Sequence, residues 1–160
     1  MLMSIAATIT LTGWSERTVW RRFAGHIVKT EHSDGRSMIP FEVIQPHLCI
    51  SVEPEDIPVL EQADAGDPEA QNEVALLFLS NQQPEGAIYW LELAAKHQHA
   101  DSMNLLGTCH LEGTGVPKNE NLGIAWIAKA AANGHVISQL QMDFIRGRKN
   151  PPNNEEIMKE

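Results

Sequence analysis

The last two-thirds of the chain contains an internal repeat, and this repeat limits the possible folds more than any other feature of the sequence. Three positions recur at an offset of 32, as Asn72/Asn104, Ala75/Gly107 and Leu79/Leu111. Four more recur at an offset of 36, as Ile88/Ile124, Trp90/Trp126, Ala94/Ala130 and Ala95/Ala131. The offset changes at a loop, where SNQQP in the first copy is shorter than EGTGVPKN in the second. Repeats of 32–36 residues built from two helices are typical of an αα-solenoid.

The large and small side chains of the repeat predict how its helices pack. Trp90 precedes an Ala-Ala pair by four residues, and Trp126 does the same in the second copy. The two positions are about one helical turn apart, so each indole can fill the space beside small side chains. We therefore expect both tryptophans to be packing residues and not a ligand cage. The segment NGHVISQLQMDFIRG resembles the first helix of a third copy, through Ser138 and Gln139, which predicts about two and a half repeats.

The second copy, HADSMNLLGTCHLEGTGVPKNENLGIAWIAKAAANGH, resembles a Sel1-like repeat, a relative of the tetratricopeptide repeat. The residues that carry the resemblance are Leu106-Gly107, Gly113-x-Gly115-Val116-Pro117, Trp126, Ala130-Ala131 and Gly134. The first copy keeps Ala70, Leu79, Trp90 and Ala94-Ala95 but lacks the Gly-x-Gly-Val-Pro loop. The resemblance implies a protein-binding scaffold without catalytic residues. The phase of the helices suggests an inner face near Asn72 and Asn104, where we expect a protein partner to bind.

A basic stretch near the start, GWSERTVWRRFAGH, contrasts with a chain that has 21 acidic and 12 basic residues. Ser15 is a suitable N-cap for a helix, and Glu16 suits its first turn. On a helical wheel, Val19, Trp20 and Phe23 form one side. The opposite side is polar and carries Arg17, Thr18, Arg21 and Arg22. We expect the apolar side to pack on the preceding helix, through Ala6 and Ile9, and the arginines to reach outward.

The order of elements around this helix predicts a winged helix-turn-helix unit. A short helical segment, SIAATIT, and a glycine-containing turn precede it. A β-prone run, a Ser-Asp-Gly turn, a second short run and a helix opened by Pro40 follow it. Residues from about 4 to 48 resemble the winged helix-turn-helix domains of excisionase-like and MerR-like DNA-binding proteins, through Ser15-x-Arg17-Thr18-Val19-Trp20-Arg21, DGR and IPFEVI. Trp14 departs from the pattern, because a smaller aliphatic residue is commoner in that turn.

This second resemblance implies two sets of DNA contacts. The basic helix would face the major groove and its phosphates with Ser15, Arg17, Thr18, Arg21 and Arg22. The wing would contact backbone phosphates, which position a domain without reading the base sequence, with Lys29, His32 and Arg36.

The predicted fold is mainly α, a small N-terminal winged helix-turn-helix domain followed by an αα-solenoid. We expect residues 1–50 to form the first domain, 55–148 the Sel1-like solenoid, and 149–160 a flexible tail. Residues 1–48 hold five basic and four acidic residues, a net charge of +1, whereas residues 49–160 hold seven and seventeen, a net charge of −10. Such an asymmetry indicates two parts with different partners.

These observations favour a cytoplasmic DNA-binding transcriptional regulator whose repeat domain binds a protein partner or forms a homodimer. The alternative is an adaptor that does not bind DNA and uses both domains to bind proteins. We expect no enzyme, cofactor or metal, since His97-x-His99 does not share one helix face and Cys109 and His110 diverge as neighbours. Cys49 and Cys109 suit a reducing compartment, and no apolar run has the roughly 18 residues of a membrane span.

Overall fold

The chain is mainly helical, as predicted. The computed structural model describes residues 1–29 and 35–149. Its strands are β1 Leu2–Ser4, β2 Val28–Lys29 and β3 Ser37–Pro40. Its helices are α1 Ile5–Thr12, α2 Glu16–Phe23, α3 Phe41–Ile44, α4 Ile57–Ala65, α5 Pro68–Ser80, α6 Pro84–Lys96, α7 Ala100–Glu112, α8 Glu120–Ala132 and α9 Val136–Lys149. No helix in these described ranges is both long enough and apolar enough to cross a membrane.

The N-terminal unit, residues 1–50, combines the short helices α1, α2 and α3 with a three-stranded antiparallel sheet. Strand β3 lies between β1 and β2, with Met3 opposite Ile39 and Val28 opposite Met38. The predicted helix, turn, helix and paired strands are present in that order, whereas β1 was not expected. Its three residues are too few to show the alternation that marks a strand in sequence. The assignment of this unit as a winged helix-turn-helix domain, like its boundary at residue 50, stays a prediction.

Helix α2 packs through a narrower side than the wheel predicts. Val19 and Phe23 are buried, but Trp20 is 40% exposed, and its indole N–H donates a hydrogen bond to Glu16 Oε1 at 3.3 Å. The expectation that Trp20 packs inward is therefore wrong. Val19 and Phe23 share a face because they are four residues apart, while Trp20 lies about 100° around the helix from Val19. On α1, the buried residues are Ala7, Thr8, Leu11 and Thr12, whereas Ala6 is exposed.

Helices α5 to α9 form the predicted solenoid. The pairs α5–α6 and α7–α8 are the two repeats, and α9 corresponds to the first helix of a third. Pro68 and Pro84 stand in the first turns of α5 and α6, where a missing N–H is harmless. Trp90 is fully buried, as expected of a packing residue. Trp126 packs against the core with part of its ring, and Lys129 Nζ lies 4.3 Å from the ring centroid.

Glycine allows the two helices of the second repeat to approach closely. A Cβ on Gly107 would lie 2.6 Å from Ile127 Cγ1 and 2.9 Å from the carbonyl oxygen of Gly123. A Cβ on Gly123 would meet Leu111 at 2.7 Å and the carbonyl oxygen of Gly107 at 2.9 Å. The contact involves backbone atoms on both sides, so a side chain cannot be added at either glycine without moving a helix.

The N-terminal unit and the solenoid share one hydrophobic core. Hydrogen bonds also join distant parts of the chain. Asp64, near the end of α4, accepts one from the backbone N–H of Ser4 at 2.6 Å and one from the Ser4 hydroxyl at 2.5 Å. Farther along, the N–H of Cys49 donates to the carbonyl of Leu11 at 2.8 Å. The first pair of bonds holds β1 on α4, and the second bond holds the end of α1 on the segment before α4.

Candidate functional site

The polar side of α2 forms a basic surface, which we call the arginine face: Arg17, Arg21 and Arg22. All three side chains are exposed, and within the described residues none of them takes part in an ion pair. Ser15 caps the helix, as predicted, because its hydroxyl accepts the backbone N–H of Thr18 at 3.3 Å. The hydroxyls of Ser15 and Thr18 lie 3.0 Å apart. Three fixed positive charges therefore stand together on one short helix.

Trp14 packs against α2 and contacts one arginine of the arginine face. Its ring stacks on Phe23, with centroids 5.7 Å apart, and contacts the His47 ring at 4.9 Å. The guanidinium of Arg22 lies 4.5 Å from the Trp14 centroid, a cation–π geometry. The large residue at this turn thus joins α2 to the segment after α3 and orients one arginine. The sequence showed Trp14 only as a departure from a pattern, since its contacts lie outside the turn.

The residues predicted on the wing fall in three situations. Lys29 is exposed on β2, and Arg36 is exposed just before β3. Arg36 also contributes to a groove against the solenoid. His32 lies outside the described residues. Lys29 is therefore accessible on β2, whereas Arg36 also lines a groove that residues of the first repeat share.

The two asparagines expected to bind a partner instead link successive repeats. Asn72 is only 6% exposed, and its Oδ1 accepts a hydrogen bond from the hydroxyl of Ser102 at 2.8 Å. Asn104 Nδ2 donates to the hydroxyl of Ser138 at 2.8 Å. Each bond runs from the first helix of one repeat to the first helix of the next. An internal partner thus occupies each amide, and we place no partner surface at these residues.

A carboxylate, a histidine and a serine meet at each repeat junction. His99 Nε2 lies 3.0 Å from Glu69 Oε2, and His99 Nδ1 lies 2.9 Å from the hydroxyl of Ser102. The same set recurs at the next junction as Asp101, 32 residues after Glu69, and His135 and Ser138, each 36 residues after its counterpart, with distances of 3.6 and 2.8 Å. The sequence signal is His-x-x-Ser, repeated at the start of α7 and α9, and it was missed.

These sets have the composition of a hydrolase triad, but their geometry is that of a helix cap. Ser102 and Ser138 are fully buried, so no substrate can reach either hydroxyl. Each imidazole Nδ1 accepts the backbone N–H of its serine, at 3.3 Å for His99 and 3.1 Å for His135. The repetition of the set at both junctions assigns it to repeat packing.

A groove of about 540 Å³ lies between the N-terminal unit and the first repeat, and we call it the junction groove. It is lined by Ser4, Ala6, Arg36, Ala63, Asp64, Ala65, Gly66, Gln71, Tyr89, Trp90, Leu93 and His97. Gln71 Nε2 donates to the carbonyl of Ala63 at 3.0 Å. Its Oε1 and the Nε1 of Trp90 are buried, and neither has a hydrogen-bond partner within the described part of the chain. Gln71 and Trp90 line the groove, but these two polar atoms have almost no solvent-accessible surface, so a ligand in the groove does not reach them.

Tyr89 lines the groove, and the pKa of its hydroxyl responds to the charge of Asp64. Burial raises the pKa of its hydroxyl above the usual 10.0, and the nearby negative charge of Asp64 raises it further. Burial also raises the pKa of the Cys49 thiol, and burial together with Glu112 raises that of Cys109. Both cysteines are unpaired. Among the described residues, no group of three or more His, Cys, Asp or Glu side chains is placed to hold a metal ion.

The helix pairs define the class of this protein as a helical-repeat protein. More particularly, residues 68–99 and 100–135 are Sel1 repeats, because both match the Sel1 repeat family model. The predicted Sel1-like repeats are therefore confirmed. The matched stretches leave residues 1–67 outside, so the winged helix-turn-helix assignment gains no support from them.

Solved structures agree with this fold. The chain is similar to a Sel1 repeat protein from Oxalobacter formigenes, with 28% sequence identity and a TM-score of 0.55, over 59% of this chain and 74% of that chain. Its fold is also similar to that of c5321, a protective antigen present in uropathogenic Escherichia coli strains that displays an SLR fold. That match has 24% identity and a TM-score of 0.53 and covers 59% of this chain but only 21% of c5321. No curated protein matches the chain.

Proposed function

We propose that the protein is an interaction scaffold that binds an extended peptide segment of a partner protein in the junction groove. The observation that carries this proposal is the groove itself, which is lined by apolar side chains such as Leu93 and by the charged side chains of Arg36 and Asp64. The Sel1 repeats support a protein as the ligand.

The side chains that line the groove indicate which kind of segment fits it. An extended peptide presents apolar and charged side chains along a short length. Leu93 and Ala6 provide apolar contact on the same groove, and Arg36 and Asp64 provide one charge of each sign. A segment with both an apolar and a charged side chain therefore fits better than a purely apolar ligand. The cytoplasm stays the proposed location, because unpaired thiols such as Cys49 and Cys109 persist in reducing compartments.

Filling the groove should abolish peptide binding. Ala6 is exposed and lines the groove, so Ala6→Trp places an indole in it without entering the core. Peptides enriched from a random display library on the wild-type protein should bind the Ala6→Trp variant at least about tenfold more weakly by fluorescence anisotropy. Ser80→Trp, at an exposed position outside the groove lining, is the matched control and should bind normally. An absence of enriched peptides, or equal loss in both variants, rejects the groove as the site.

DNA binding is the second candidate function, and the arginine face is the observation that favours it. Arg17, Arg21 and Arg22 are exposed on a serine-capped helix, and Lys29 is exposed on β2 of the three-stranded sheet. Such a helix can enter the major groove while neighbouring basic residues contact phosphates. In this proposal the unit regulates transcription, and the repeat region binds a protein partner or a second copy. The adaptor proposal stands first because two Sel1 repeats, residues 68–99 and 100–135, support a protein partner.

The salt dependence of binding to mixed-sequence duplex DNA separates the two candidates. If the arginine face binds DNA, the log–log plot of affinity against salt should have a slope of about −3 to −6. The Arg21→Ala/Arg22→Ala double variant should reduce the magnitude of that slope by about two. A Lys96→Ala/Lys118→Ala variant removes the same charge from exposed sites on the solenoid and should leave the slope unchanged. Weak binding shared by all three proteins excludes DNA as the ligand.

A further inference from the structure

Helix α9 carries an exposed apolar surface, which we call the α9 face: Val136, Ile137, Leu140 and Phe144. These side chains are 60–66% exposed. Their spacing of one, four and eight residues from Val136 puts them on one side of the helix. The other large exposed apolar residues of the described chain are distributed over β1, α2, β2, α5 and α8. A contiguous apolar strip on one helix marks an interaction site.

The repeat shows which surface this is. His135 and Ser138 cap α9 as His99 and Ser102 cap α7, so the two helices align at an offset of 36. Leu140 then occupies the place of Asn104, which in turn matches Asn72. Both asparagines hold the first helix of the following repeat through a serine hydroxyl. The α9 face is therefore the side on which the solenoid receives its next helix.

The chemistry of that side changes at α9. The four positions hold Ala100, Asp101, Asn104 and Thr108 on α7, and Val136, Ile137, Leu140 and Phe144 on α9. Each replacement is larger and more apolar than its counterpart. Leucine cannot make the hydrogen bond by which Asn72 and Asn104 hold the next helix. The occupant must therefore be a helix that presents an apolar strip of its own.

We propose that this occupant is a second copy of the chain, joined through an antiparallel pair of α9 helices. The proposal deepens the proposed role of the repeat region as an interaction scaffold, and rests on it. A twofold interface requires a surface that is complementary to itself. The α9 face meets that requirement about Leu140, because Ile137 lies three residues before it and Phe144 four residues after it. The axis places Leu140 against Leu140 of the second copy and each Ile137 against Phe144.

Other features of the chain fit this arrangement. Gly147 lies seven residues, about two helical turns, after Leu140 on the same side, and no atom lies within 4 Å of where its Cβ would be. It leaves room for a second helix to approach closely. Antiparallel helices also bring opposite ends of their dipoles together.

Sedimentation of the purified chain alone tests the proposal. The wild-type protein should form dimers in a concentration-dependent way, and Leu140→Asn, which restores the repeat residue, should raise the dissociation constant at least about tenfold. Leu76→Asn is the matched control, since Leu76 is 45% exposed on α5, and its dimer should be unchanged. A chain that stays monomeric at every concentration, or a dimer that Leu140→Asn leaves intact, overturns the proposal. No partner peptide is present, so failure of the junction groove leaves this result unaffected.

Disulfide cross-linking tests the orientation, in a chain with alanine at Cys49 and Cys109. Leu140→Cys should cross-link with itself. A mixture of Ile137→Cys and Phe144→Cys chains should form mixed dimers, with little cross-linking of either variant to itself. Preferential cross-linking of Ile137→Cys to itself indicates parallel helices and rejects the antiparallel pair.

Discussion

Replacing Gly107 with alanine is expected to lower the free energy of unfolding by roughly 2–3 kcal/mol. The added methyl would lie 2.6 Å from Ile127 Cγ1, 2.9 Å from the carbonyl oxygen of Gly123 and 3.1 Å from the Ile127 nitrogen. Two of these three atoms belong to the backbone of α8, so relief requires the helices to move apart. Urea unfolding followed by circular dichroism measures the change.

A second glycine of the solenoid provides the matched control. Gly147 lies within α9, and a Cβ there meets no atom within 4 Å. At protein concentrations too low for dimers, Gly147→Ala should therefore raise the stability by about 0.5–1 kcal/mol, because alanine is the better helix former. Opposite signs for the two substitutions are the expected result. A Gly107→Ala variant as stable as the wild type shows that α7 and α8 do not approach each other as described.

Replacing Asp64 with alanine is expected to lower the free energy of unfolding by about 2–3 kcal/mol. Its carboxylate accepts two hydrogen bonds from Ser4, at 2.6 and 2.5 Å. Hydrogen bonds to a charged group contribute about 1.5–3 kcal/mol each, and partial exposure of both residues reduces their sum. Ser4 also caps α1 and belongs to β1, so the substitution should loosen the whole N-terminal unit. Glu61→Ala, at an exposed carboxylate on the same helix, should change the stability little.

The same substitution should be visible in the titration of Tyr89, the single tyrosine of the chain. Burial and the charge of Asp64 hold its pKa above the usual 10.0 in the folded protein. The folded state thus binds the phenolic proton more tightly than the unfolded state does. This contribution to stability is complete below about pH 10 and is lost as the pH rises through the folded pKa. Tyrosinate absorbance should show a lower pKa in Asp64→Ala and an unchanged one in Glu61→Ala.

The solenoid was predictable because its signals are periodic. Trp90 and the alanine pair after it recur at a fixed spacing as Trp126 and Ala130-Ala131, and spacing along a helix decides which side chains share a face. The cap of α2 at Ser15 was predictable because a cap bonds within the first helical turn. Trp20 was not. An eight-residue helix permits several apolar sides, and only its neighbours decide which one is buried.

The candidate sites were less predictable than the fold. The exposed arginines follow from the amphipathic pattern of α2, but the junction groove does not follow from any local pattern. Its walls come from β1, α4, α5 and α6, and Gln71 and Trp90 read in sequence as ordinary repeat residues. Asn72 shows that a residue predicted at a binding surface can instead be bonded within the chain. A repeated polar residue suggests a binding face, yet its partner is Ser102 of the next repeat.

The sequence by itself determined the helical repeats, their number and their family, because these depend on spacing within about 36 residues and on side-chain size. It also determined that one short helix carries a cluster of arginines. Only the tertiary structure decided that Ser4 bonds to Asp64, that Trp14 lies beneath Arg22, and that α9 presents apolar residues where earlier helices present asparagine. Each of these depends on which distant elements meet. Such meetings are set by the packing of the whole core, and local periodicity does not encode them.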